Sequence, residues 1–183
     1  MPFLHYIAYF LFLFSYVSAQ SIEGYWVSYD SSNKQPSSVI EIKPAEDGTL
    51  YGVVVAGFQH GPSHPDEYCK KCSASTYTGV YGIRKGERVL GKSVMWGFSE
   101  SKGQAKWQGG NIIRVMTGTL YPASLYLEGE ENDTLRVKVH AGFFSKSVYW
   151  KRISESRLSD LCSKIDVLHE NGKTYATTCA AVK

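Results

Sequence analysis

Hydrophobic and polar residues alternate along most of the chain with a period of two. In the segment TLRVKVHAGF, for example, Leu135 and Val137 alternate with Arg136 and Lys138. Successive side chains of a β-strand point to opposite faces, so this pattern predicts strands with one buried face. About eight such segments occur between residues 24 and 153, and several are separated by glycine-containing turn signals.

Eight short strands in a row predict an all-β fold. The favoured arrangement is an eight-stranded antiparallel up-and-down barrel, whose interior holds side chains or one small ligand. A two-sheet sandwich is the competing architecture. We expect residues 20–153 to form this β-domain.

The hydrophobic period changes after Ile153. Apolar residues then recur at helical spacing, at Leu158, Leu161, Cys162, Ile165 and Leu168. Ser154 or Ser156 is placed to cap the start, and Gly172 follows the last apolar position. Residues 154–183 are therefore predicted to form a helix packed outside the barrel and a returning tail.

The first nineteen residues differ from the rest of the chain. The run from Tyr6 to Val17 is apolar without charges, and Val17-Ser18-Ala19 has the small residues of a cleavage site. These features predict a secretory signal peptide over residues 1–19 and a periplasmic or secreted protein. A membrane anchor is the alternative, although the run is shorter than the ~20 residues that a span needs.

The four cysteines all follow the predicted signal peptide. An even number in an oxidising compartment indicates two disulfides, for which three connectivities exist. We favour the local pairs, Cys69 with Cys72 and Cys162 with Cys179.

Residues 58–78 carry the most distinctive cluster of reactive side chains. His60, His64, Cys69 and Cys72 have the chemistry of a zinc site, and the two cysteines have the spacing of a redox motif. No strand–helix–strand pattern surrounds them, and exported thiols tend to be oxidised. We favour a disulfide-pinned loop that contacts a ligand or a protein partner, with zinc and redox roles as the alternatives.

Composition narrows the function classes further. The net charge is +3 with basic and acidic residues interspersed, so no nucleic-acid surface is indicated. No further apolar run is long enough to cross a membrane once the leader is removed. No nucleophile motif or phosphate loop is present, so we predict a protein that is not an enzyme, with no catalytic residue, metal or cofactor.

The first and last strands carry a pair of residues that we expect to close the barrel. Trp26 lies near the start of the first predicted strand, and Lys151 and Arg152 lie near the end of the last. These strands are neighbours in an up-and-down barrel. Arg152 or Lys151 can therefore cover the Trp26 ring, a cation–π contact of up to about 2 kcal/mol when desolvated.

The order of these motifs resembles a known family. A Gly-x-Trp start and a basic final strand are similar to the lipocalin or calycin pattern. More specifically, GYWVSYD, LYGVVV, PDEYCKKC, WQGGNI, LYLEG, LRVKVHAGF and YWKR resemble a bacterial exported family known as domain-of-unknown-function family 2147. The resemblance implies a calycin-like barrel without established enzymatic activity, in which Cys69 and Cys72 match the family's Cys-x-x-Cys. The chain departs from the family pattern after Gly110 and beyond Ser154.

The leading hypothesis is an exported, lipocalin-like protein that holds a small, mainly hydrophobic ligand in the barrel. The expected ligand-binding residues point inward: Ile40, Ile42, Val53, Val55, Trp96, Leu125, Leu127, Val137, Val139 and Trp150. The same residues would fill a solid core if there is no cavity. An adhesin-like or inhibitor-like module that acts through its loops is the alternative.

Overall fold

The computed structural model describes residues 21–31, 34–58, 68–170 and Cys179. The predicted signal peptide, His60, His64 and the tail other than Cys179 lie outside these residues. Among the described residues, no helix has both the length and the apolar character that a membrane crossing requires.

Eight antiparallel strands close into a barrel in sequence order. The strands are β1 Gly24–Tyr29, β2 Pro36–Pro44, β3 Leu50–Gly57, β4 Ser93–Glu100, β5 Lys106–Arg114, β6 Thr119–Glu128, β7 Thr134–Ala141 and β8 Phe144–Ile153. Closure comes from β1 and β8, where Trp26 pairs with Arg152. The predicted up-and-down barrel is therefore confirmed, and the sandwich is wrong.

The alternation of the sequence separates two buried clusters. The larger cluster includes the barrel interior, with Trp26, Ile40, Leu125 and Val137, and extends to buried residues of the connection between β3 and β4. The smaller cluster lies on the outer face of the barrel. It includes Val27 and Val39, which alternate with the inward residues, together with Val55 and Ala56 of β3 and Leu158 of the C-terminal helix.

The predicted inward placement of Val53 and Val55 is wrong. Paired residues of neighbouring strands share a face, and inward Ile40 pairs with Val54 while Glu41 pairs with Val53. Val39 then pairs with Ala56, so Val55 is the extra residue of a β-bulge. Val55 belongs to the outer cluster, and Val53 is half-buried in an outer groove. The run of three valines offered no polar residue from which this parity could be read.

Helix α1, Glu155–Glu170, packs on the outside of the barrel as predicted. Ser154 is the N-cap, because its hydroxyl accepts a hydrogen bond from the Arg157 backbone N–H at 3.1 Å. Leu158 is buried against the outer face of β1 to β3. The predicted Cys162–Cys179 disulfide is present, and both cysteines pack against the same cluster.

The connection between β3 and β4 packs against the barrel through its second half. It contains a 3-10 turn at Ala74–Thr76. The predicted Cys69–Cys72 disulfide is present, and both cysteines are buried with Ile83 in the main cluster. The disulfide lies against the β5–β6 turn, since the Cys69 Sγ is 3.6 Å from the Val115 carbonyl oxygen.

Candidate functional site

The two ends of the barrel are built differently. We call the closed end the one formed by residues 21–23 and the β2–β3, β4–β5 and β6–β7 turns. The mouth is the opposite end, formed by the β1–β2, β3–β4, β5–β6 and β7–β8 connections. Up-and-down connectivity places alternate turns at alternate ends.

Arg152 and Trp26 seal the closed end. The Arg152 guanidinium lies 4.3 Å from the centre of the Trp26 ring, as predicted. It donates hydrogen bonds to the carbonyl oxygens of Glu23 at 2.8 Å and Ser21 at 2.6 Å. The Trp26 indole N–H donates to the Ile22 carbonyl oxygen at 2.8 Å. Residues 21–23 are thereby held across the end of the barrel.

Burial affects the protonation equilibrium of this arginine. It lowers the pKa of the Arg152 guanidinium, because desolvation penalises the charged form. The carbonyl oxygens and the indole face supply the compensating interactions for a side chain that stays charged in proteins.

The interior next to the closed end is filled. A side chain at Gly52 would place its Cβ 2.6 Å from the Met95 Cγ and 2.8 Å from the Ile40 Cγ2. A Cβ at Gly110 would overlap the Phe98 ring. The two glycines therefore leave the room that Met95 and Phe98 occupy, and a ligand has no space at this level of the barrel.

The interior opens toward the mouth along β8. Trp150, Val148 and Lys146 pair with the inward residues Leu135, Val137 and Val139, so their side chains lie on the inner face. Trp150 is 7% exposed, Val148 is 38% exposed, and Lys146 is classed as exposed. β8 pairs with β1 only from Lys151 to Ile153, so the exposed inner face at Val148 lies where the wall between β8 and β1 is open.

On the neighbouring strands, too, the inward residues are more exposed near the mouth. Val139 is only half-buried, and Ile112 and Tyr121, a cross-strand pair near the mouth, are half-buried as well. Ser28 and Ser38 lie one step above Trp26 and Ile40, and their hydroxyl oxygens are 2.8 Å apart. The mouth is thus a cup with apolar walls and a partly polar rim.

Most of the residues predicted to bind a ligand belong to the interior. Those on the inner face are Ile40, Ile42, Leu125, Leu127, Val137 and Trp150 of the main buried cluster, and Val139, which packs against it. The predicted inward placement of Trp96 is wrong. Trp96 pairs with Asn111, which alternates with inward Ile112, so it is buried on the outer face. The residues that sequence reasoning missed are Ser28, Ser38, Tyr121, Lys146 and Val148. The alternation from Trp150 carried a signal for Val148 and Lys146, but it does not reveal how far each is exposed.

Two further concave regions lie outside the cup. A pocket of about 570 Å³ lies at the closed end, between the turns that contain Gly48, Gln104 and Asn132. A groove of about 720 Å³ lies on the outer surface and is lined by Tyr51, Tyr77 and Tyr81, among others. The rings of Tyr51 and Tyr81 are 5.1 Å apart between centres. Desolvation raises the pKa of Tyr81, and the negative charge of Asp47 raises it further.

The Cys69–Cys72 disulfide has the surroundings of a structural crosslink. Both residues are buried, and the Cys69 backbone N–H donates to the Glu87 carbonyl oxygen at 2.9 Å. The two sulfurs are bonded to each other, so neither is a thiolate that binds zinc in this state. Within the described part of the chain, no three His, Cys, Asp or Glu residues are grouped as metal ligands.

Comparison with known proteins gives the same fold. No curated protein matches the chain. Among solved structures, protein HP1028 from Helicobacter pylori, described as belonging to the lipocalin family, matches with a TM-score of 0.57 and 14% sequence identity. The match covers 77% of this chain and 88% of HP1028. At this identity the likeness shows the fold alone, a lipocalin-like barrel.

A family model described as "Uncharacterized protein conserved in bacteria (DUF2147)" matches residues 24–152, from the first strand to the arginine that closes the barrel. This range includes the eight strands, except for the last residue of β8, and the loop that holds the Cys69–Cys72 disulfide. The chain therefore belongs to the DUF2147 family of bacterial proteins.

Proposed function

We propose that the protein binds a small, mainly apolar ligand in the cup at the mouth of the barrel, above the packed layer. One observation carries this proposal. Val137 and Val148 are direct partners on the inner face, yet Val137 is 0% exposed and Val148 is 38% exposed. An exposed apolar side chain inside a barrel is what a ligand site requires, because ligand binding removes it from water.

The lining indicates the chemistry of the ligand. Val139, Val148, Ile112 and Tyr121 supply apolar walls, while Ser28, Ser38 and Lys146 add hydroxyl and ammonium groups. A ligand that complements this surface has an apolar body and a polar or anionic head group at the rim. Its length is limited, because Met95 and Phe98 occupy the barrel below.

The interior residues have different parts in this proposal. Val139 lines the wall of the cup, and Leu125 and Val137 form its floor. Ile40, Ile42 and Trp150 support that floor from within the packed core, whereas Leu127 lines the closed-end pocket. Trp96, on the outer face, has no part in it. We further propose that the protein is a carrier rather than an enzyme, and that it works in the periplasm or outside the cell. The two disulfides support an oxidising compartment.

Native mass spectrometry tests the proposal. Protein purified from the periplasm is expected to carry an adduct of lipid-like mass that is released on denaturation. Val148→Trp fills the cup with an indole, so this variant is expected to lose the adduct and stay folded. Failure to detect or load any apolar ligand, with a correctly folded protein, would contradict the proposal.

A second candidate function is protein or peptide recognition through the outer groove. Three tyrosines line this groove, and tyrosine is enriched at recognition surfaces because its large ring loses little conformational entropy. Val80 beside them is exposed. A photo-crosslinker placed at Val80 is expected to capture one partner, and Tyr51→Ala with Tyr81→Ala is expected to abolish the capture. Unchanged capture in that variant removes this candidate.

A further inference from the structure

The β7–β8 hairpin presents two phenylalanines to solvent at the mouth of the barrel. Phe143 is 106% exposed and Phe144 is 81% exposed. The turn is tight, since Ala141 pairs with Phe144, and Gly142 has φ +59°. Positive φ at the first central position is typical of hairpin turns that require glycine there. The two phenylalanines therefore lie at the tip of a tight hairpin turn.

The hairpin that carries these phenylalanines is strongly basic. Residues 134–154 contain no Asp or Glu, and their basic residues are Arg136, Lys138, Lys146, Lys151 and Arg152. Arg136 and Lys151 pair with Glu128 and Asp133, nearer the closed end. Lys138 and Lys146 form no ion pair within the described part of the chain. The two uncompensated charges are thus those closer to the phenylalanines.

Exposed apolar side chains occur in other mouth segments as well. Tyr29 ends β1 at the mouth, Met116 lies in the β5–β6 turn, and both are exposed. The closed-end turns differ, because they contain Glu46, Asp47 and Glu130. The mouth thus carries exposed apolar side chains on three of its segments, whereas the closed-end turns carry an excess of acidic residues.

We propose that the mouth docks on an anionic phospholipid bilayer, with Phe143 and Phe144 inserted at the interface and Lys138 and Lys146 against the head groups. Interfacial elements bury aromatic side chains about 5–10 Å deep, with basic residues behind them. Lys146 follows Phe143 by three residues, which is about 10 Å along a strand. Its ammonium group then reaches the head groups when the tip is inserted.

A bilayer fits this surface better than a protein partner does. Stable protein interfaces bury roughly 1,200 Å² or more with close shape complementarity, whereas two side chains on a narrow tip offer far less. A lipid surface needs no complementary pocket, and anionic head groups complement the two unpaired lysines. Docking requires no ligand in the cup, so it can be tested independently of the proposed function.

Vesicle sedimentation tests the docking. The processed chain, with its N-terminus verified by mass, is mixed with protein-free vesicles of phosphatidylglycerol and phosphatidylethanolamine, or of phosphatidylcholine alone. The wild type is expected to sediment with the anionic vesicles. Phe143→Ser with Phe144→Ser is expected to lower partitioning at least tenfold, and Lys138→Glu with Lys146→Glu to remove the preference for anionic lipid. Val80→Ser, an exposed apolar position elsewhere, is the matched control and is expected to behave as the wild type.

A spectroscopic variant locates the contact. All four native tryptophans are buried, so Phe143→Trp adds one exposed indole. Its emission is expected to shift to shorter wavelength with anionic vesicles and to be quenched by brominated lipid, whereas Val80→Trp is expected to show neither effect.

Absence of wild-type binding to protein-free vesicles, or equal binding by the double phenylalanine variant, would overturn the proposal. Binding only to vesicles that contain membrane proteins would also overturn it, in favour of a protein partner. Val148→Trp is expected to bind vesicles normally, which separates docking from ligand binding.

Discussion

The closed end and the mouth are made from the same eight strands, yet their inward positions are filled in opposite ways. In the half of the barrel next to the closed end, Trp26, Phe98 and Met95 are fully buried, Gly52 and Gly110 leave only the room that Met95 and Phe98 occupy, and Arg152 covers Trp26. At the mouth, inward Val148 is exposed and Ser28 and Ser38 put hydroxyl groups on the inner face. Alternation determines which residues point inward. Whether an end of the barrel is closed depends on the size of those side chains and on segments such as residues 21–23 that lie across it.

Because of this difference, we expect residues of the filled half to contribute mainly to stability and residues of the open half to contribute mainly to binding. Residues in the filled half remove their whole apolar surface from water on folding, so their truncation costs stability. Residues in the open half retain exposed surface, so their truncation costs little stability and changes what can bind.

The largest effect is expected for Trp26→Ala. It removes a fully buried ring, its hydrogen bond to Ile22 and the aromatic partner of Arg152. Such truncations cost about 3–5 kcal/mol. Chemical denaturation of the variant measures the loss, and a loss below about 1 kcal/mol would show that the closed end is not packed as described.

The next effect is expected for Gly110→Ala. Its added methyl group would overlap the Phe98 ring, and overpacking of this kind costs about 1–3 kcal/mol. Gly57→Ala is the matched control, because its Cβ would meet no atom within 4 Å. A similar midpoint of urea unfolding for the two variants would contradict a filled interior at Phe98.

The pair Val137→Ala and Val148→Ala makes the comparison within one cross-strand pair. Removing two methyl groups from a fully buried valine costs about 2 kcal/mol, including the cavity. The same change at exposed Val148 is expected to cost less than about 0.5 kcal/mol. Equal losses, measured by thermal unfolding without ligand, would show that the barrel is filled to the height of Val148.

The smallest effect concerns the pH dependence of the closed end. The Thr134 hydroxyl and then the Lys151 ammonium group lower the pKa of Asp133 from its usual value near 3.8. A carboxyl whose folded pKa is lowered stabilises the fold above its unfolded pKa, and the contribution is lost as pH falls through the folded value.

Asp133→Asn should therefore lower Tm slightly near pH 6 and leave it unchanged at a pH below the folded pKa. Glu131→Gln, in the same turn, is the control and should match the wild type at both pH values. A Tm difference between Asp133→Asn and the wild type that persists unchanged into acid would show that the carboxylate charge is not its cause.

Sequence reasoning predicted the features that follow from alternation and strand order. It placed Trp26 and Arg152 together, because the first and last strands of such a barrel are neighbours. It failed at Val53 and Val55, where a bulge within an all-apolar run shifts the parity. It also missed the cup, since the exposure of Val148 depends on where the pairing of β8 with β1 ends, at Lys151.

The central claim is that the ligand site is the open inner half of the barrel. Titration with dansyl-labelled undecanoic acid tests it in two variants that differ by one position. Val148→Trp fills the inner face of the cup, whereas Tyr149→Trp changes the exposed outer face of the same strand. We predict that Val148→Trp raises Kd at least tenfold and that Tyr149→Trp leaves it unchanged. Equal affinity in both variants, or no binding by the wild type, would contradict the account.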